Sequence, residues 1–315
     1  MVADVAGIVA SLVVLTVAGD QFVIGLARSA AALNARPIVV GALVGGFGTS
    51  LPELLVAAVA TAERKPEIAV GNLVGSNIAN VCVGLGLAAM VAPVRVESRT
   101  LRREAPLCVA AVVLLAVTAV GGFARVEGFL LLAALVAAVA ALFVNARRGT
   151  MRDELAIEAK EFFDLPARRL PRVEIVRTAL GMGLMVGAAE VLVRSAAGLA
   201  GRLGLAESFV GLTLVAVGTS APLIASAIQA ARRGDYDLVV GNVLGSNLFI
   251  SLAGGAIVGL IPGGSVPGIG PAPLWLMIGV MAATWAFMGR GGRVSRAEAA
   301  LLIVAYGAAL PFASR

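Results

Sequence analysis

With 315 residues, 59% of them hydrophobic and 14% charged, the chain lies far from a soluble domain, in which about a quarter of residues are charged. The mean hydropathy of +0.97 places it in a bilayer. The net charge of +6 is gathered in the connections between apolar runs, where it orients the chain rather than recruiting nucleic acid, and the lack of histidine removes the commonest transition-metal ligand and the usual neutral-pH proton switch.

A membrane-spanning helix needs about 20 apolar residues. In chain order the sequence offers ten such segments: 3–27, 38–62, 67–92, 104–122, 127–146, 173–201, 207–231, 237–261, 272–289 and 297–314. The first has no basic flank, only Asp4, and reads as a retained helix rather than a cleaved signal peptide. In the second, Gly41, Gly45 and Gly46 suit close helix packing. Cys82 and Cys108 both fall in apolar runs and are expected to pack as thiols rather than bridge. The most polar stretch, 147–172, separates the fifth span from the sixth and reads as a connector, with a short surface helix from about Asp153 to Phe163.

Numbering the connections between spans, the odd ones hold Arg28, Arg36, Arg95, Arg99, Arg102, Arg103, the basic residues from Arg147 to Arg177, then Arg232, Arg233, Arg290, Arg293 and Arg296. The even connections and the C-terminus hold only Arg64, Lys65, Arg125, Arg202 and Arg315. This bias makes the odd connections cytoplasmic and both termini extracytoplasmic. A multi-pass protein of the plasma (inner) membrane is expected.

The same polar phrases occur twice at a constant offset of 170 positions. Gly48-Thr49-Ser50-Leu51-Pro52-Glu53 is answered by Gly218-Thr219-Ser220-Ala221-Pro222-Leu223. Gly71-Asn72-Leu73-Val74-Gly75-Ser76-Asn77 is answered by Gly241-Asn242-Val243-Leu244-Gly245-Ser246-Asn247. Asp20 and Glu190, and Glu67 and Asp237, fall at the same offset. With five spans in each half, 1–146 and 173–315, the second half enters from the opposite face, so the repeat is inverted and 147–172 is its cytoplasmic linker. Glycine, proline and hydroxyl residues interrupt helices, and Pro52 and Pro222 lack the N–H that a continuous helix requires. Breaks are expected at both prolines, and again at Gly75-Ser76-Asn77 and Gly245-Ser246-Asn247. Broken helices in matching places of two halves point to a cation site near the midplane of a transporter.

Few ionisable residues lie inside spans: Asp20, Glu53, Glu190 and Arg194. Charge in the bilayer interior is costly and normally marks function. Glu190 and Arg194 are spaced i,i+4 and are expected to form a structural ion pair; Asp20 is expected to orient a helix contact. Glu53 begins the half-helix after the first break, and Asn77 and Asn80 share one face of the third span. Together Glu53, Asn80, Thr49, Ser50, Ser76 and Asn77 supply the oxygen donors that hard cations prefer. No Ser/His/Asp set, phosphate loop or organic-cofactor motif is present, so the chain is not read as an enzyme.

These residues resemble the sodium/calcium exchanger family, the cation/calcium antiporters, in a prokaryotic ten-helix form. The family's two alpha-repeats read G-T-S-L-P-E followed by G-N-x-x-G-S-N-x-x-N/D. The first repeat here, Gly48 to Glu53 and Gly71 to Asn80, matches in full. The resemblance implies an all-α membrane protein of ten transmembrane helices, built as two inverted five-helix repeats with broken helices at the midplane and working by alternating access. It implies cation contacts from Thr49, Ser50, Glu53, Ser76 and Asn80, and from Thr219, Ser220 and Ser246 in the second half. The transported ions it implies are Na⁺ and Ca²⁺, with H⁺ or another cation open, and no organic cofactor.

The second repeat departs from the pattern, with Leu223 in place of the glutamate and Ile250 in place of the closing polar residue. One carboxylate matches a monovalent ion, whereas two offset a divalent one, and ligand charge sets calcium affinity over orders of magnitude. The second repeat is degenerate, and an altered ion preference is expected. Ser226, Gln229 and Ser251 lie close enough in sequence to restore neutral oxygens but no charge. The alternatives are a non-transporting cation-binding or accessory membrane protein of the same fold, or a carrier for a different solute. The expected partners are the lipid bilayer and small inorganic cations; no nucleic acid is expected and protein partners are unspecified.

Overall fold

A computed structural model describes residues 1–32, 48–96, 98–147, 171–261, 266 and 269–313. The chain there is almost wholly helical. Helix α1 is Val2–Ala32. A tight turn at Gly48–Ser50 leads into α2, Leu51–Ala62. Helix α3, Pro66–Ala79, widens into a π-turn at Asn80–Leu85 and resumes as α4, Gly86–Val91. Helices α5, Ser98–Gly121, and α6, Arg125–Arg147, complete the first half. Helix α7 is Pro171–Leu203. It is followed by α8, Glu207–Val210, a π-turn at Gly211–Val215, and α9, Ala216–Thr219. Helix α10, Ala221–Arg233, follows a bend of 45° between the segments Glu207–Thr219 and Ala221–Arg233. Helix α11, Tyr236–Phe249, passes through a π-turn at Ile250–Gly254 into α12, Gly255–Leu260. Helices α13, Pro271–Gly291, and α14, Arg296–Ala313, end the chain. A two-residue strand β1, Val94–Arg95, pairs antiparallel with β2, Arg293–Val294, and ties the end of α4 to the α13–α14 corner.

The punctuation is local. Prolines open α3, α7 and α13, where a missing N–H costs nothing. Gly234 and Gly292, with φ of 80° and 60°, close α10 and α13 in the left-handed conformation that glycine adopts freely. Among the described residues six helices are long and apolar enough to cross a membrane, or seven with the bent pair. A shorter apolar helix is Gly48–Ala62; Gly41, Gly45 and Gly46, and most of the 147–172 connector with the surface helix expected from Asp153 to Phe163, lie outside the described residues.

The expected breaks are present at the prolines and absent at the glycines. Ser50 (φ −94°, ψ −3°) and Ser220 (φ −79°, ψ −5°) are the turn residues before α2 and α10, and Pro52 and Pro222 sit in the first turn that follows. Gly75-Ser76-Asn77 and Gly245-Ser246-Asn247, by contrast, lie inside regular α3 and α11. Glycine keeps its N–H and tolerates helical dihedrals, so without proline the helix continues. Its role is close approach. A side chain on Gly71 would strike the Ser208 and Leu212 backbone, one on Gly75 would strike the Leu212 carbonyl, and one on Gly211 would strike the Ile68 carbonyl. Helix α3 thus meets the α8 segment backbone to backbone, the packing small residues permit in a membrane.

The helices sort by burial. In an apolar 18-residue stretch of each of the spans Pro66–Val91 and Tyr236–Leu260, which carry the second repeated phrase, 78% of residues are buried; in the matching stretches of Val2–Leu26 and Arg172–Leu203 the share is 28%. Helices α1 and α7 lie along one another at the periphery and are joined near both ends by ion pairs, Asp4 to Arg202 at 2.9 Å and Arg28 to Glu174 at 3.2 Å, the latter also held by Arg177 of α7 itself. Arg194 pairs with Glu190 as expected, and also reaches Glu63 beyond α2 at 3.0 Å. Asp20 is exposed on α1, which removes the orienting contact expected of it. Cys82 and Cys108 are buried thiols without a disulfide.

Replacing Gly75 with valine is expected to cost about 1–3 kcal/mol by overpacking, whereas Gly187→Val, with nothing within 4 Å of the added carbon, is expected to be tolerated. Unfolding of the detergent-solubilised variants measures the difference.

Candidate cation site

The two breaks deliver their side chains to one another. Ser220 Oγ, at the second break, donates to Glu53 Oε1 in the first turn after the first break at 3.1 Å. Glu53 is 1% exposed. Asn72 Nδ2 of α3 donates to the Glu53 backbone carbonyl at 3.3 Å, and Thr219 Oγ1 donates to Asn72 Oδ1 at 3.2 Å. The symmetry-related contact is present as well: Thr49 Oγ1 donates to Asn242 Oδ1 at 3.0 Å. Each break is therefore held to the long helix of the opposite half by a threonine–asparagine bond.

The symmetry fails where the sequence departs. Ser50 Oγ, the counterpart of Ser220, has Leu223 where a second carboxylate would stand, and pairs instead with Ser246 Oγ at 2.7 Å. Thr49 Oγ1 also lies 3.1 Å from Ser246 Oγ. Leu223, 1% exposed, packs against the π-turn at Gly84, and Ile250 is fully buried. Asn80 Nδ2 donates to Asn247 Oδ1 at 2.9 Å; the reciprocal bond from position 250 to Asn77 cannot form with isoleucine, and Ser251 Oγ donates to Asn77 Oδ1 at 3.1 Å in its stead. Ser226 accepts from Asn242 at 2.9 Å, while Gln229 is exposed and away from the site.

All nine expected residues, Thr49, Ser50, Glu53, Ser76, Asn77, Asn80, Thr219, Ser220 and Ser246, lie on these four facing segments. All are buried except Thr49, which is half-buried. Three of their oxygens are buried without a hydrogen-bond partner: Glu53 Oε2, Ser76 Oγ and Asn80 Oδ1. Ser76 and Asn80 follow Asn72 at successive four-residue steps, along the face of α3 that meets Glu53. Among the described acidic residues only Glu53 and Glu174 are buried, and Glu174 is engaged by two arginines. No group of three His, Cys, Asp or Glu is present there to hold a metal. The donors are one carboxylate with hydroxyl and amide oxygens, chemistry suited to a hard cation. Asn72, Asn242 and Asn247 are not among the expected site residues, whereas Ser251 supplies the neutral oxygen expected near the lost position. All three stand in the repeated phrase itself, and the signal is that an amide retained at both repeat positions inside an apolar helix needs a partner.

Compared with known proteins, the sequence matches the sodium/calcium exchanger protein family over residues 4–144 and 173–314. The chain belongs to the sodium/calcium exchanger family. It is 30% identical to CaxA of Alkalimonas amylolytica over 95% of each chain. It is 32% identical to the inner membrane protein YrbG of Escherichia coli, covering 77% of this chain and 75% of that one. It is also 28% identical to the sodium/calcium exchanger MaX1 of Methanosarcina acetivorans, covering 75% of this chain and 77% of that one. Among solved structures, the sodium-calcium exchanger NCX_Mj soaked with Na⁺ and Sr²⁺ superposes with a TM-score of 0.65 at 26% identity, covering 99% of this chain and 98% of that one. The family's members are membrane cation antiporters rather than enzymes, and the fold here is the all-α membrane fold of that exchanger.

Within this family frame the asymmetry is measurable. Ser220→Ala removes a donor to a carboxylate and is expected to cost about 1.5–3 kcal/mol, against about 0.5–1.5 for Ser50→Ala, whose partner is a hydroxyl. Chemical unfolding of the purified variants gives the comparison.

Proposed function

We propose that this chain is a secondary-active cation antiporter working by alternating access. Its cation is held by Glu53, Asn80, Thr49, Ser50, Ser76, Asn77, Thr219, Ser220 and Ser246. The observation that carries this reading is a deeply buried carboxylate with one oxygen lacking any partner and no basic side chain bonded to it. An uncompensated carboxylate in low dielectric is expensive, and a bound cation compensates it. Two further unpartnered oxygens on the adjoining face of α3 support the same reading.

The ion preference is shifted from Ca²⁺ towards monovalent ions, Na⁺ or H⁺. Leu223 and Ile250 supply apolar surface where the family pattern has polar ligands, so a divalent ion keeps an unbalanced positive charge in this site. The two halves, 1–146 and 173–315, are inverted relative to one another around a cytoplasmic linker at 147–172, with both termini extracytoplasmic in the inner membrane. The basic-residue bias, the paired turns at Ser50 and Ser220, the paired π-turns at Asn80 and Ile250, and the inner-membrane name of YrbG support this arrangement.

In proteoliposomes, Glu53→Gln is expected to abolish gradient-driven Na⁺ flux; unchanged flux overturns the reading. Leu223→Glu is expected to raise Ca²⁺ over Na⁺ transport by roughly tenfold or more, measured by tracer uptake with each ion. A wild-type protein stabilised by cations but unable to move Na⁺, K⁺, H⁺ or Ca²⁺ is instead a non-transporting cation binder.

A further inference from the structure

Of the three unpartnered oxygens, Glu53 Oε2 and Ser76 Oγ belong to groups that offer a lone pair in any orientation. Asn80 does not. Its amide presents an acceptor on one side and a donor on the other, and a half-turn about its last bond would aim an N–H at the cation. Something must select the orientation. Asn80 Nδ2 donates to Asn247 Oδ1 at 2.9 Å, which leaves Asn80 Oδ1 as the unpartnered atom. Asn247 is held in turn. Its Nδ2 donates to the Asn77 backbone carbonyl at 3.1 Å and lies 3.4 Å from Met281 Sδ. Reversing the Asn247 amide would set its oxygen against a carbonyl oxygen and a thioether, both acceptors. The backbone carbonyl cannot change sign, so the direction of the whole relay is fixed from Asn77 O through Asn247 to Asn80.

We propose that Asn247 is a positioning residue that turns the Asn80 amide oxygen towards the transported cation. It acts from the second half of the chain on a ligand of the first. This rests on the reading of Asn80 as a cation contact. In the mirror position Asn77 donates to Leu73 O within its own helix, and Ile250 offers it no amide to orient. The relay therefore runs one way only, and the polar role of Asn247 survives although the position that would reciprocate it is apolar.

The test is a double-mutant cycle read by Na⁺-dependent thermal stabilisation of the solubilised protein and by the KM for Na⁺ in proteoliposomes. Asn247→Leu is expected to weaken apparent Na⁺ affinity by roughly tenfold, the lower end of what an outer-shell partner contributes to ion binding. A carboxylate presents an oxygen whichever way it turns. In a chain already carrying Asn80→Asp, adding Asn247→Leu is therefore expected to change Na⁺ affinity by less than about twofold. An equal penalty in both backgrounds overturns the proposal while leaving the cation site intact, since a merely structural role for Asn247 would be felt in both. If neither the wild-type chain nor Asn80→Asp responds to Na⁺, Ca²⁺ or K⁺, the cation reading and this proposal fall together. Failure of Asn247→Leu to fold is separated by Asn247→Gln, whose longer amide keeps both donor and acceptor and is expected to retain more than half of the Na⁺-dependent stabilisation; Asn247→Gln matching a fully unresponsive chain overturns the proposal.

Discussion

The contact between Ser220 and Glu53 governs the rest of this molecule. A carboxylate buried to 1% exposure must find donors, and the nearest one comes from a helix break 167 residues away. That bond exists only if both breaks stand at the same depth and face each other. The first break also places Glu53 in the first turn of α2, where unsatisfied N–H groups and the helix dipole favour negative charge. Two ordinary rules, proline at a helix start and acid near the N-terminus, thereby set a charged group in the middle of an apolar fold.

The internal repeat behaves as a test of what each side chain contributes, because the same position occurs twice in different company. One bond is kept in both copies with its residues: Thr49 to Asn242 and Thr219 to Asn72. Where one copy changes, the partners redistribute. With Leu223 at the counterpart position of Glu53, Ser50 bonds Ser246, whereas Ser220 bonds Glu53 and the Ser76 hydroxyl is unpartnered. Loss of the polar side chain at 250 is met by its neighbour Ser251, which reaches Asn77. The site has been repaired for hydrogen bonding but not for charge. Neutral groups can be exchanged among close positions at small cost, whereas a second carboxylate has no substitute among the described buried side chains.

Much of this was legible in the chain itself. Apolar runs located the helices, the proline phrases located the breaks, and the offset identified Leu223 and Ile250 as the departures. The glycine phrases do not act as interruptions, because the physical effect of glycine here is to remove a Cβ. Nothing in a single sequence says which neighbour needs that space, and the answer, the carbonyls of Ser208 and Leu212, comes from a segment more than 130 residues away. The partners of the amides are hidden in the sequence for a similar reason. Asn247 stands in the repeated phrase, but its two partners, Asn80 and Asn77, are brought to it only by the packing of α11 against the π-turn that follows α3.

The glycine contacts and the polar relay depend on one another. Hydrogen bonds between hydroxyls and amides on different helices tolerate only a few tenths of an ångström of displacement before they weaken, and in lipid no hydrophobic driving force holds helices in register. Backbone-to-backbone approach at Gly71, Gly75 and Gly211 supplies that register, since the α3 and α8 segments there interlock without intervening side chains. The most buried long spans are those carrying Asn72, Ser76 and Asn80 and their second-half counterparts, while the α1–α7 pair at the periphery is fastened to itself by an ion pair at each end. A site built from short neutral side chains has little charge with which to pull its own walls together. Its geometry has to be imposed by the packing around it, and that is where this sequence spends its glycines.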